Sequence, residues 1–231
     1  TGMMEPVALR GRLVTEAVRG EGGRLFNADG ERFMARYSPE RLELDARDVV
    51  ARAIYTEIRE GRGTDAGAVL LDISHRDAAF IHERLPKVAS VFAEHGIDMT
   101  RGPVQVAPTA HYAMGGVRVD FATGATSVPG LFAVGEATAG VHGANRLGGN
   151  SLAETVVFGK RTGEHVAHAL PASPPDLPDD VVRAALQSLR RDEGGTDDPE
   201  ELRDELGALL WEHAGIVRTR DGLEEGLQQL D

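Results

Sequence analysis

Residues 130–169 restrict the fold of this chain more than any other stretch. "GLFAVGEA" (130–137) is apolar and ends at Gly135-Glu136, the glycine-rich "VHGANRLGGNSLAE" (141–154) follows, and a helical pattern runs from Ser151 to about Ala169. This order predicts a buried strand, a loop and a helix, a layout in which backbone N–H groups and a helix N-terminus receive an anionic or electron-rich ligand. Glu136, just past the predicted strand, stands where dinucleotide sites place a carboxylate on ribose hydroxyls. The plainer alternative is a surface loop leading into a helix. Neither G-x-G-x-x-G nor G-x-x-x-x-G-K-S/T occurs, so no complete dinucleotide site is visible in the chain.

Upstream, "LVTEAVRGEGGRLFNADGERFMARY" (13–37) reads as a strand or short helix, a glycine turn and then a hairpin, with Asn27-Ala28-Asp29-Gly30 as the turn signal. In 45–60, Val49, Val50, Ile54 and Ile58 recur at helical spacing, with Asp45 as the expected N-cap and Gly61 and Gly63 as the stop. "AVLLDIS" (68–74) predicts a buried strand, and 77–96 one or two helices interrupted near Pro86. "VQVAPTAHYAMGGVRVD" (104–120) alternates like strands around a Gly-Gly turn. The proline-rich "LPASPPDLPDD" (170–180) reads as a linker, followed by helices near 180–192, 199–214 and 221–230.

Composition removes several function classes. Lys+Arg of 25 against Asp+Glu of 37 leaves a net charge of −12, which argues against nucleic acid as a partner. The chain has no cysteine, so it contributes no disulfide, no thiolate ligand to zinc or an iron–sulfur cluster, and no cysteine nucleophile. No apolar run approaches the roughly 20 residues that span a bilayer, so a membrane contact would need a partner. His165 and His168 stand at metal-ligand spacing on a predicted helix, but no third ligand accompanies them, so the expectation is no metal.

Taken alone, the remaining polar candidates have ordinary readings. Glu16 and Arg19 are i,i+3 neighbours, as in many surface ion pairs. Arg47 lies in a predicted first turn, where Asp48 suits the helix dipole and an arginine does not. His111, among small residues in "PTAHYAMGG" (108–116), fits a packed, hydrogen-bonded histidine. The seven Phe and three Tyr are scattered, as core residues are.

In combination these segments resemble the flavoprotein subunit family of succinate dehydrogenase and fumarate reductase, with L-aspartate oxidase as a relative. The pieces that carry the likeness are "TEAVRGEGG" (15–23), "GERFM" with "RYSPE", "ARDVVARAI" (46–54), "PTAHYAMGG", "GLFAVGE" (130–136) and "HGANRLGGNSLAE" (142–154). They keep family order across roughly residues 1–165, and "LWEHAGIVR" (210–218) looks like the family's C-terminal helical domain.

The resemblance implies an α+β capping domain plus the second part of an α/β FAD-binding domain, followed by C-terminal helices. The implied boundaries are 1–107 for the capping domain (opening with the end of the first FAD segment), 108–169 for the second FAD segment, 170–180 for the linker and 181–231 for the start of the helical domain. In the family a His-Pro precedes the Thr-Gly seen here at 1–2 and a glycine fingerprint lies far upstream. The expectation is therefore a slice of a longer polypeptide with an incomplete FAD site, inactive by itself.

The resemblance also assigns roles. Arg47 looks like the proton-transfer arginine and Glu16 with Arg19 like its relay. Thr15, His111 and Arg146 look like the clamp on the dicarboxylate. Glu136 resembles the residue on the FAD ribose, and Ser151 with Leu152 the backbone contacts to the flavin. The implied activity is succinate–fumarate interconversion in the tricarboxylic acid cycle and electron transport. An iron–sulfur subunit is the implied electron partner, and the implied location is the cytoplasm, at the inner membrane face through partner subunits. L-aspartate oxidase, or a non-catalytic module, is the alternative.

Overall fold

The computed structural model describes residues 1–170, 178–189 and 198–230. Most of the predicted linker, 171–177, lies outside the described residues, as do 190–192 at the end of one predicted helix. The chain forms two compact units, Thr1–Ala110 with Asp197–Asp231, and His111–Thr196.

The first unit is built on a four-stranded antiparallel sheet of β1 (Gly2–Met3), β2 (Arg24–Phe26), β3 (Val69–Asp72) and β4 (Val104–Ala107), in the order β1-β4-β3-β2. Alternation along a strand puts every second side chain on one face. The register sets Leu25 opposite Leu71, Leu71 opposite Val104, and Val69 opposite Val106. That row is buried, and Val50 and Ile54 from α3 (Arg47–Glu57) belong to the same apolar core, with Phe33, Met34, Ile81 and Phe92. Each such side chain contributes about 1.5–3 kcal/mol by leaving water.

Several sequence expectations meet the structure directly here. The turn at 27–30 forms, with Gly30 N–H donating to the Asn27 carbonyl and Gly30 at φ 77°. It does not close a hairpin: β2 pairs with β3 instead, and the chain passes into α2 (Met34–Tyr37) after the short α1 (Ala17–Gly20) upstream. Asp45 does not cap α3. Its carboxylate accepts the N–H of the next residue, Ala46, which itself stands at the cap position. Pro86 does divide two helices, α4 (Ala78–Arg84) and α5 (Pro86–Glu94), because proline fits a first turn but not a helix interior.

The C-terminal segment of this unit holds α8 (Pro199–His213) and α9 (Arg220–Leu230). Trp211 meets Tyr55 of α3 edge to face at 5.7 Å, and Arg59 donates to both Glu212 oxygens at 2.6 and 2.7 Å.

The second unit contains α6 (Asn150–Ala169) and α7 (Asp179–Leu189), preceded by mostly irregular chain. The predicted strand at 130–137 is not one. The segment makes a single bridge, Ala125 to Phe132, Leu131 is 52% exposed, and Gly135–Ala137 is a 3-10 turn. Of the predicted strands in 104–120, the first part forms as β4, while 108–120 carries only the bridge of Val117 to Thr138 among the described residues. A strand exists only where a neighbour completes its ladder, and the described residues of this unit supply no such neighbour.

Gly124 shows how tightly α6 sits on the preceding loops. It is buried at φ 73°, and a Cβ there would lie 2.2 Å from Thr162 Oγ1. Gly124→Ala is expected to cost about 1–3 kcal/mol from combined backbone and packing strain. Thermal melts should show the loss partly recovered when Thr162→Ala is added; equal melting of Gly124→Ala and the parent would refute the crowding.

Candidate functional site

In the first unit, three side chains meet at one carboxylate oxygen. Glu16 precedes α1, Arg19 lies in it, and Arg47 opens α3. Glu16 Oε1 accepts Arg19 Nη2 at 3.2 Å and also accepts Arg47 Nε. Arg19 is 7% exposed, and its Nη1 donates to the Glu43 carbonyl, so it is anchored from both sides. Glu43 is in turn held by Arg32, at 2.9 and 2.6 Å, and by the Leu25 N–H at 3.1 Å.

The electrostatics follow from this arrangement. Burial works against the charged form of Glu16, but the Arg47 hydrogen bond and the charges of Arg47 and Arg19 outweigh it, and the carboxyl is held below the usual glutamate range. Burial lowers the Arg19 pKa, Glu16 opposes that effect, and the Arg47 charge adds to it. The result is a guanidinium–carboxylate–guanidinium chain whose buried arginine, Arg19, gives up a proton more readily than a free arginine. Thr15, beside it, is exposed, and its hydroxyl accepts the Ala17 N–H at 3.3 Å.

The second unit carries the other sequence candidates. His111 is exposed in the irregular segment after β4. Glu136 is exposed and accepts the Ala113 N–H at 2.9 Å. Arg146 stacks on the Tyr112 ring, its guanidinium carbon 4.5 Å from the centroid. Among the described residues its Nε is a buried donor with no hydrogen-bond partner, while Nη1 donates to the adjacent Leu147 carbonyl at 3.2 Å. A buried unpaired donor costs about 1–3 kcal/mol.

Gly149 caps α6 at φ 84° with no side-chain hydrogen bond, and an added Cβ at Gly148 or Gly149 would meet nothing within 4 Å. Ser151 and Leu152 follow in the first turn, where a helix leaves N–H donors without an internal acceptor. Leu152 is 75% exposed. The helix end therefore offers backbone donors, open space beside two glycines, and an arginine four residues before its first residue. His165 and His168 have other neighbours: the His165 ring lies 5.9 Å from Phe132, and His168 Nδ1 lies 2.6 Å from the Glu164 carbonyl.

Sequence reasoning missed a buried network in this unit. Glu154, 5% exposed on α6, accepts the Tyr112 hydroxyl at 2.9 Å and lies 2.7 Å from His142 Nε2. Burial first, and the Glu154 bond second, hold the Tyr112 pKa above its usual value, so the phenol stays a donor. These residues are 42 and 12 positions from Glu154, and no local pattern signals the meeting.

Comparison with known proteins gives a consistent setting. Residues 1–152 match the family described as FAD binding domain. The chain is 50% identical over 233 residues to a fumarate reductase (CoM/CoB) subunit of Methanothermobacter marburgensis, covering 100% of this chain and 42% of that protein. It is 46% identical over 219 residues to L-aspartate oxidase 2 of Ralstonia nicotianae, covering 94% and 38%. Among solved structures it resembles Mycobacterium smegmatis Sdh1 in complex with UQ1, with a TM-score of 0.78, 44% identity, and coverage of 100% and 39%. The chain thus spans about two fifths of the length of the curated relatives it matches.

Proposed function

This chain belongs to the FAD binding domain family, and we propose that it forms part of a flavoprotein subunit that interconverts succinate and fumarate. The observation that carries the reading is the single Glu16 oxygen shared by Arg19 and Arg47. Such a shared oxygen supports a role for these three residues in carrying a proton.

When bound, FAD supplies the hydride for fumarate reduction and accepts it in succinate oxidation. Arg47 adds or removes the proton at the neighbouring substrate carbon. Negative charge developing there is strongly basic, so even a guanidinium, ordinarily a very weak acid, serves as the acid. An arginine also keeps its charge in a closed site and stabilises that developing charge. Glu16 moves the proton between Arg47 and Arg19, and the burial that lowers the Arg19 pKa eases its release.

Thr15, His111 and Arg146 hold the substrate carboxylates, with the unpaired Arg146 Nε donating to one of them. The donor set on α6 fits FAD: Ser151 and Leu152 N–H groups for the flavin ring, and the Glu136 carboxylate for a ribose hydroxyl. An iron–sulfur subunit is the proposed electron partner. Among the described residues no helix is long and apolar enough to cross a membrane, so any membrane contact is assigned to partner subunits.

The second reading is L-aspartate oxidation, supported by the 46% identity to L-aspartate oxidase 2. The test is turnover by the full-length protein purified from its own cells. Succinate–fumarate interconversion with co-purifying iron is the expected result. Aspartate oxidation without succinate activity would replace the first reading with the second.

A further inference from the structure

We propose that Tyr112 and Glu154 are positioning residues for Arg146, the phenol ring, tethered by Glu154, setting the guanidinium plane that receives a substrate carboxylate. The inference rests on the functional reading above and adds the means by which the arginine is aimed.

Arg146 needs such a device. It stands between Gly143 and the Gly148-Gly149 pair, and no regular element fixes its backbone. A long side chain held in one rotamer loses conformational entropy. A flat aromatic face that receives the guanidinium in advance reduces that loss at the moment of binding. Tyr112 provides the face at 4.5 Å. Tyr112 lies in irregular chain itself, so its ring must be fixed from elsewhere.

Glu154 does this. It sits in the second turn of α6, a helix of 20 residues, and accepts the phenol at 2.9 Å. His142 closes the other side. Its Nε2 is 2.7 Å from the same Glu154 oxygen, and its ring meets Tyr112 edge to face at 5.5 Å and 78°. Thr138 Oγ1 lies 3.4 Å from the second carboxylate oxygen. Orientation thus passes from a rigid helix through a buried carboxylate and an aromatic plane to a loop arginine. Beside the Tyr112 stack, Arg146 has its Nη1 bond to the adjacent Leu147 carbonyl, while its Nε has no partner among the described residues.

The test uses the full-length flavoprotein, with malonate binding followed by flavin absorbance and fumarate turnover followed at steady state. Tyr112→Leu removes the stacking face and is expected to raise the malonate Kd and the fumarate KM about tenfold. The kcat should change less than about twofold, because uniform binding is lost and not transition-state stabilisation. Tyr112→Phe and Glu154→Gln keep the ring but break or weaken the tether, and should give rises of about threefold, roughly one neutral hydrogen bond. Should the leucine variant fail to fold, these two carry the test. Unchanged Kd and KM in the variants would overturn the proposal, as would loss of flavin and kcat in proportion to KM, the mark of a merely structural role. A parent protein that binds neither malonate nor fumarate would overturn the functional reading and this one with it. A parent that binds while its variants match it would sink the positioning role alone.

Discussion

Arg47→Ala is expected to lower succinate–fumarate turnover of the full-length protein by about 10²–10⁴-fold, the usual contribution of a positioned acid or base, while leaving flavin content and melting temperature unchanged. The two halves of that expectation have separate causes. Arg47 is exposed at the first turn of α3, where the helix dipole disfavours a cation, so its removal takes no packing from the core. Its specific contact is with Glu16, which also holds the buried Arg19. Arg47→Lys keeps the charge but loses the planar fork, and should fall by about 10²-fold or more. Rapid-mixing and steady-state assays on both variants check this. Full turnover by Arg47→Ala would end the assignment, and a matching loss of flavin would move Arg47 from the reaction to the fold.

The largest effect on stability is expected at a residue with no proposed part in the chemistry. Glu57 closes α3 and is fully buried, and its carboxylate collects Arg62 at 2.8 and 2.7 Å, Tyr37 at 2.6 Å, Asn27 at 2.9 Å and Arg36 at 3.2 Å. Glu57→Gln removes the charge and leaves Arg62 and Arg36 with only their exposed partners, Glu60 and Glu31. Because both arginines reach solvent, the cost should fall near the lower end for a broken buried pair, about 3 kcal/mol. In a chain of this size that corresponds to a fall of about 10 °C in Tm. Glu60, exposed and bonded to the same Arg62, is the control, and Glu60→Gln should stay within about 0.5 kcal/mol.

The same site gives a pH signature with a fixed sign. The Arg62 hydrogen bonds, helped by Tyr37 and Asn27, hold Glu57 at about 2 instead of 4.5 against the opposing effect of burial. A depressed carboxyl stabilises the fold above its unfolded pKa, and the contribution is lost as pH falls from about 4.5 toward 2. It is worth about 3 kcal/mol at neutral pH. Denaturant melts should therefore show the parent losing more stability across that window than Glu57→Gln. Parallel losses in the two proteins would mean that Glu57 is not the group that titrates.

What could be read from sequence depended on the range of the interaction. The apolar spacing in 45–60 and the glycines after it locate α3, and Pro86 locates the break between α4 and α5, because dihedral preferences and short-range hydrogen bonds act within a few residues. The helix after the glycine-rich loop begins one residue from where its pattern does. The segment 130–137 is as apolar as β3, yet it forms no ladder, since a strand's state is decided by its neighbour and not by its own composition. The turn at 27–30 forms as its residues dictate, while the choice of β3 as the partner of β2 belongs to the sheet.

The candidate site divides along the same line. Glu16 and Arg19 are neighbours by helical spacing, and sequence alone brings them together. The arrival of Arg47, 31 residues away, at the same oxygen is a result of packing. The residue types in "HGANRLGGNSLAE" fix an open, uncapped helix start with an arginine before it. That the arginine lies on Tyr112, and Tyr112 on Glu154, follows only once α6 and the loops before it are placed. Local chemistry in the chain determined which groups this protein can offer. The tertiary structure decided which of them share a partner, because a buried carboxylate accepts whatever donors the packed core delivers to it.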